Sequence, residues 1–354
     1  MNSQLDMFKK LTEAKGVAGN EKDVRNLMKE YISDYADDIY TDKLGSLICK
    51  KVGEKNGPKI MISGHMDEIG FLVANINDNG FITFQTLGGW NGKVMLSQKV
   101  LITTSKGHEY IGIINGKPSK DAKAAIDKEN MFIDIGVDSK EEVEKLGIRQ
   151  GDMITPYFEF SQMANTKYLL AKAWDDRVGC ALCIDILKDL KNKSHKNIVY
   201  AVGTVQEEVG CRGAKTASNV VNPDIGFSLD VSVANDTPGS DTILGDGKLG
   251  NGPQIHIFDG GLVGHVGLKN YLIDLAEELQ IPYQINALPF GGTDVSQMHV
   301  AHDGAPCISI GIPTRYIHSH ASIIHKDDYD NTVRLLSEFI QKIDHDGYNK
   351  ILNN

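Results

Sequence analysis

The chain has 354 residues, 41% of them hydrophobic and 24% charged, with a formal net charge of −10. That length suits one large domain carrying an insertion, or two domains, and the acidic balance argues against nucleic acid or an anionic membrane surface as partner. Met1 to Lys10 has no apolar core of signal-peptide type and no apolar run of about 18 residues occurs anywhere, so a cytoplasmic protein is expected.

The opening predicts two amphipathic helices, roughly Leu5–Ala14 and Glu21–Tyr35, broken by Gly16 and Gly19. A strand pair is predicted around Ile39–Thr41 and Ser46–Lys51, turning at Leu44-Gly45. The apolar strand Lys59–Ser63 then runs straight into Gly64-His65-Met66-Asp67. From Ile69 to about Tyr168 the texture changes to short alternating segments: Gly70–Asn75, Phe81–Gln85, Lys99–Thr103 and Glu109–Ile114. Asn-Gly, Gly-Gly and Lys-Gly turn signals separate them, the pattern of an antiparallel β module, and His108 is its only histidine. Residues 69–168 are therefore a candidate insertion into a domain made of 1–68 and 169–354.

After Leu169 strands and helices alternate again. A helix is predicted over Asp176–Leu190, strands over Asn197–Val205 and Asp224–Leu229, and a strand over Gln254–Phe258. Helix Leu268–Leu279, strand Tyr283–Asn286, a helix opening near Thr293-Asp294, strand Cys307–Ile310 and a last helix Asp327–Ile343 follow. Buried apolar strands alternating with helices predict an α/β sheet covered on both faces. The five cysteines form neither an even disulfide set nor a paired zinc ribbon; Cys180 and Cys183 fall one turn apart on a predicted helix, as small buried residues.

Five acidic and histidine clusters sit at ends of these predicted strands: His65 with Asp67, Asp175, Glu207 with Glu208, Asp230, and His318. In open α/β sheets ligands bind at the carboxyl ends of strands, so one fold rule would gather them. Each alone has a plain reading, as a hydrogen-bonded loop histidine, a helix N-cap at Asp175–Asp176, or a solvated Glu-Glu turn. Their recurrence between apolar flanks favours a common site. His65 and Asp67, two apart on extended backbone, point the same way, so Asp67 can reach the ring nitrogen that does not bind metal. Glu207 and Glu208 face opposite ways, so one can bind metal while the other addresses the substrate water. Two imidazoles and several carboxylates can hold a pair of divalent ions, which implies a hydrolase.

The strings Ser63-Gly64-His65-Met66-Asp67-Glu68-Ile69-Gly70, Asp175-Asp176-Arg177-Val178-Gly179 and Val205-Gln206-Glu207-Glu208-Val209-Gly210 resemble motifs of the tetrahedral, or glutamyl, aminopeptidases, a group also carried under the name cellulase M. Leu229-Asp230-Val231, Gly291-Gly292-Thr293-Asp294 and Arg315-Tyr316-Ile317-His318-Ser319 match as well, in the same order along nearly the whole chain. The resemblance implies a mixed sheet flanked by helices, of di-zinc exopeptidase type, with an inserted β-barrel-like dimerisation domain. It implies Asp175 as the carboxylate bridging two metals, with Glu208 and His318 on one and His65 and Asp230 on the other. Glu207 would be the general base and Asp67 the orienter of His65. It also implies short peptide substrates and dimers joined into twelve-chain shells. Trp174 departs from the smaller or aliphatic residue many members carry there, which bears on the shape of the local wall.

Zinc suits mixed imidazole and carboxylate ligands, and cobalt or manganese is also compatible. Arg212, Lys248 and Arg315 are cations near the motif segments that could favour an N-terminal Glu or Asp; surface or structural cations are the alternative. Arg177 is expected to brace neighbouring carboxylates, and His320 and His325 to line a rim or bond backbone. A glycanase (endoglucanase) using Glu207 and Glu208 fits poorly, because its two carboxyls must flank the sugar roughly 5–9.5 Å apart. A non-catalytic metal-binding scaffold of the same fold is the other alternative.

Overall fold

The computed structural model describes residues 3–117, 126–240, 247–288 and 291–353. Its main body is a mixed sheet of 12 strands. From one edge the order is Asp38–Thr41, Leu47–Val52, Ile198–Thr204, Lys59–His65, Ile225–Val233, Cys307–Arg315, Ser322–His325, Tyr168–Ala171 and Ser161–Gln162. The four strands from Ile198–Thr204 to Cys307–Arg315 run parallel, with antiparallel pairs outside them. Gln254–Asp259 branches off Cys307–Arg315 and carries Leu262–Val263 and Gln284–Ala287.

Side chains on a strand alternate between faces, and the parallel strands are apolar on both. Ile60, Ile62, Val199, Ala201, Phe227 and Leu229 pack into one core with the helices Ser3–Glu13, Lys22–Ile32, Trp174–Asp189, Val266–Glu278 and Lys326–Lys342. Met61, Tyr200 and Val202 face the other way, against Ala217 and Val221 of helix Arg212–Val221 and Val295 and Met298 of Val295–Met298. Each such apolar side chain stabilises the fold by roughly 1.5–3 kcal/mol when fully buried. Cys180 and Cys183 lie in the first core with no disulfide.

A second, separate core fills a closed six-stranded barrel, Gly70–Ile76, Ile82–Leu87, Met131–Asp134, Glu109–Gly116, Lys99–Thr103 and Met153–Pro156 in order around the ring. Phe71, Val73, Val100, Ile102, Ile133 and Ile154 occupy it, and Trp90 stacks on Phe71 with ring centroids 4.7 Å apart. Met131–Asp134 and Met153–Pro156 escape prediction because 4 residues are too few to display an alternation. Closing the sheet into a barrel pairs its edge strands and leaves none to be covered. The chain rejoins the large sheet at Ser161–Gln162, whose partner is Tyr168–Ala171, ahead of the return at Leu169 read from the sequence. The barrel is anchored at its root by buried Glu68, which takes Lys172 at 2.6 Å and Arg177 at 3.2 Å.

Candidate metal centre

The site forms at the carboxyl end of the parallel strands. His65 is the last residue of Lys59–His65, and Glu207–Glu208 follow Ile198–Thr204 after a short turn. His318 follows Cys307–Arg315, and Asp175 sits in the irregular first turn of Trp174–Asp189. Asp230 is not at a strand end as expected: its strand runs on to Val233, because Val231 and Val233 continue the alternation beyond it.

Ligand-type atoms of His65, Asp175 and Asp230 lie within 4.8 Å of one another, and so do those of Asp175, Glu208 and His318. Asp175 belongs to both groups. Its Oδ1 is 2.9 Å from His65 Nε2 and its Oδ2 is 3.2 Å from His318 Nε2. The opposite ring nitrogens are held by carbonyl oxygens, Nδ1 of His65 by Asp67 at 2.9 Å and Nδ1 of His318 by Gly89 at 3.0 Å. Holding Nδ1 on a carbonyl turns each Nε2 toward Asp175, the arrangement that orients metal-binding histidines. The Asp67 carboxylate is 3.5 Å from the His65 ring, and its two oxygens instead accept the backbone N–H groups of Glu207 and Glu208, at 3.0 and 3.1 Å. Asp176 holds the main chain of the cluster, accepting the backbone N–H of His65 at 2.9 Å.

The electrostatics follow from carboxylates crowded out of water. Burial, then Asp175, pushes Glu208 up to about 8 and Asp230 up to about 7. Burial also raises Glu207. For His318 burial acts downward, but the hydrogen bond with Asp175 and the charge of Glu208 carry it up to about 10. Asp175 is held low by both imidazoles in spite of its burial. Glu208 Oε1 is buried without a hydrogen-bond partner among the described residues. A cluster of this kind is short of positive charge, and its nitrogen and oxygen donors fit zinc-type divalent ions.

A cavity of about 530 Å³ surrounds the cluster, lined by its residues together with Val231, Val233, His256, Leu288 and Ile317 among others. No lysine or arginine is among the described lining residues. This corrects the three anticipated substrate cations. Arg212 is exposed and bonds the Gln206 side chain at 3.2 Å. Lys248 is exposed, and its backbone is engaged by Gln284. Arg315 is spent on Asp236, in a two-pronged contact at 2.6 and 2.7 Å. Nearness along the chain did not set side-chain direction.

Other expectations also shift. Trp174 does not form a cavity wall; it packs inward against Phe8 and Phe160. Arg177 braces Glu68 and the backbone carbonyls of Leu11, Ala14, Gly16 and Met66, not the carboxylates of the cluster. His320 is buried beside Trp90 rather than on a rim, while His325 accepts the Asp327 N–H. His256, unremarkable in sequence, lines the cavity and meets Ser232 Oγ at 2.9 Å.

Gly88 and Gly89, read as a turn signal inside the insertion, turn out to touch the site. A Cβ on Gly88 would lie 2.7 Å from Glu208 Oε2, and one on Gly89 would lie 2.8 Å from His318 Nδ1. The signal was two glycines where one suffices for a turn. Asp294, in the sequence one letter of a motif, takes the hydroxyls of Ser63 at 2.9 Å and Thr204 at 2.6 Å, tying together the strands that lead to His65 and Glu207.

Residues 45–335 match the family described as M42 glutamyl aminopeptidase, and residues 2–28 match one described as AMPT. The glutamyl aminopeptidase of Lactococcus lactis is 34% identical over 98% of this chain and 99% of its own. The crystal structure of a TET aminopeptidase from a marine sediment archaeon of the Thaumarchaeota superposes with a TM-score of 0.96 at 38% identity, covering 99% of each chain. The TET1 peptidase of Pyrococcus horikoshii, which can assemble into a tetrahedron or a large octahedral shell, superposes at 0.87 with 31% identity over 96% of this chain and 100% of its own. The chain belongs to the M42 glutamyl aminopeptidase family and is an aminopeptidase.

Proposed function

We propose that the two groups sharing Asp175 hold two divalent ions, zinc or cobalt, and that the chain uses them to release the N-terminal residue of short peptides. The carrying observation is that two nitrogen–oxygen ligand sets interlock at one carboxylate inside one cavity. His65 and Asp230 would complete one ion, Glu208 and His318 the other. Bound ions would supply Lewis-acid polarisation of the peptide carbonyl and a more acidic water. Glu207 belongs to neither set, yet lines the same cavity with Oε2 3.7 Å from His65 Nε2. It is the group available to take a proton from water and return it to the departing amide nitrogen. A non-catalytic scaffold would have no use for that buried fourth carboxylate.

The walls contributed by Val231, Val233, Leu288 and Ile317, with no facing cation among the described residues, favour an uncharged first residue over the Glu or Asp considered from sequence. For assembly, the reading is a homo-oligomer of twelve chains built from dimers, with the inserted module of residues 69–168 as the dimerisation element. Support comes from the P. horikoshii relative and from Ile111 and Ile113, which are 51% and 37% exposed on the barrel's outer face. Five unpaired cysteines agree with a reducing, cytoplasmic setting, and no helix among the described residues is long and apolar enough to cross a membrane.

The deciding experiment strips the protein with chelator, restores zinc or cobalt, and follows both metal content and turnover of leucine p-nitroanilide. Activity should track bound metal. Full turnover in a rigorously metal-free sample refutes the metal reading, and ions that bind without changing turnover refute their part in the reaction.

A further inference from the structure

Cys211 differs from the other cysteines in its surroundings. Cys49, Cys180, Cys183 and Cys307 are sealed in the cores at 0–1% exposure, whereas Cys211 is 8% exposed and lines the cavity of the metal centre. It is the residue before helix Arg212–Val221, held in a left-handed conformation at φ 50°. Its backbone N–H returns to the carbonyl of Glu207 at 2.9 Å. Its Sγ lies 3.2 Å from Glu207 Oε1.

The two oxygens of Glu207 therefore have different neighbours. Oε1 meets the thiol, and Oε2 is the one turned toward His65 Nε2. On the main-chain side Asp67 Oδ1 pins the Glu207 N–H. A glutamate side chain has three rotatable bonds, and among the described residues the Cys211 thiol is the one hydrogen-bond donor to this carboxylate. We propose that Cys211 is a positioning residue for Glu207, its S–H donating to Oε1 so that Oε2 stays aimed at the metal centre. This rests on the reading of Glu207 as the base. The thiol stays protonated for this task, since burial and then the charge of Glu207 push it far above the ordinary thiol value. A thiol so raised is a donor and a poor nucleophile or metal ligand.

The test uses the metal-loaded full-length enzyme and leucine p-nitroanilide. Because S–H is a weak donor, Cys211→Ala should lower kcat about 3–10-fold with KM and metal content unchanged. Cys211→Ser, whose hydroxyl can donate to the same oxygen, should recover most of that loss. If Cys211→Ala fails to fold, Cys211→Gly suits the left-handed backbone and should show the same drop. In a Glu207→Gln background the residual rate should no longer respond to Cys211→Ala. Wild-type kcat in the alanine or glycine variant, or a serine variant as slow as the alanine one, overturns the proposal. A Glu207→Gln enzyme that turns over normally overturns the base assignment and this inference with it, whereas an inactive Glu207→Gln beside an unaffected Cys211→Ala overturns this inference alone.

Discussion

Asp67 accepts the backbone N–H of Glu207 on Oδ1 at 3.0 Å, from a position fully buried behind the cluster. Its other oxygen does the same for Glu208. A carboxylate that satisfies two successive N–H groups fixes a turn more firmly than a neutral acceptor. The residue two places after His65 thus shapes the loop that delivers Glu207 and Glu208. It serves His65 through its main chain and the glutamates through its side chain.

Glu207→Gln keeps the shape of the side chain and removes its basicity. Turnover should fall by about 10²–10⁴-fold with metal content nearly intact. Glu208→Gln should instead lose metal from one of the two positions. Elemental analysis beside steady-state kinetics separates them, and exchanged phenotypes would reverse the two roles.

Gly89→Ala should weaken one ion and spare the other. The added Cβ would sit 2.8 Å from His318 Nδ1, where the carbonyl of Gly89 now holds the ring. Loss of such an orienting contact typically costs about 10–100-fold in metal affinity. Stepwise metal titration should show one of two binding steps weakened while the other stays put; two unshifted steps would show that the barrel loop does not orient His318.

The metal-free protein should lose stability as pH rises. Glu208 and Asp230 titrate near 8 and 7 in the fold, above ordinary carboxyl values, and His318 near 10, above the ordinary imidazole value. A group whose folded value is raised contributes stability that is present below its unfolded value and is lost as pH climbs through the folded one. All three act in the same direction, from about pH 4 upward. Metal requires deprotonated ligands, so its stabilisation should grow over the same interval. Thermal unfolding at pH 5.5, 7 and 8.5, with and without zinc, measures both slopes; a metal-free protein that gains stability toward pH 8.5 contradicts the account.

Leucyl and methionyl anilides should be cleaved with higher kcat/KM than glutamyl or aspartyl ones, and salt should change the order little. The cavity walls offer aliphatic surface, and Arg315 is already engaged by Asp236. A glutamyl substrate cleaved best, with strong dependence on ionic strength, would point to a cation this reading does not include.

Light scattering should return a particle near twelve times the 38.8 kDa chain. Arg or Glu at Ile111 or Ile113, placed on the outer face of the barrel, should break it into smaller species if the barrel forms the dimer contact. A stable monomer at micromolar concentration would refute the assembly proposal.

The residues of the cluster and the strands that precede them were legible in the sequence because both are local signals. Apolar runs such as Lys59–Ser63 and Asn197–Val205 announce buried strands, and charges placed directly after them stand out against their flanks. The two periods of the chain, helical around Leu268–Leu279 and alternating around Lys99–Thr103, reported the layers and the change of texture at Ile69. Direction was not legible. Gln206, Cys211 and His318 adopt φ values of 57°, 50° and 57° although none is glycine, at a cost of about 1–2 kcal/mol each that only surrounding contacts can offset. Those three left-handed residues accompany the turns that bring Glu207, the Cys211 thiol and the His318 ring to the wall of one cavity, while Arg212, one residue beyond Cys211, turns to solvent. Nothing in the identity of a glutamine, a cysteine or a histidine announces such a conformation. The tertiary structure alone decided it, because packing and long-range hydrogen bonds, the Glu207 N–H to Asp67 and the His318 ring to the Gly89 carbonyl, hold these residues where local preference would not have placed them.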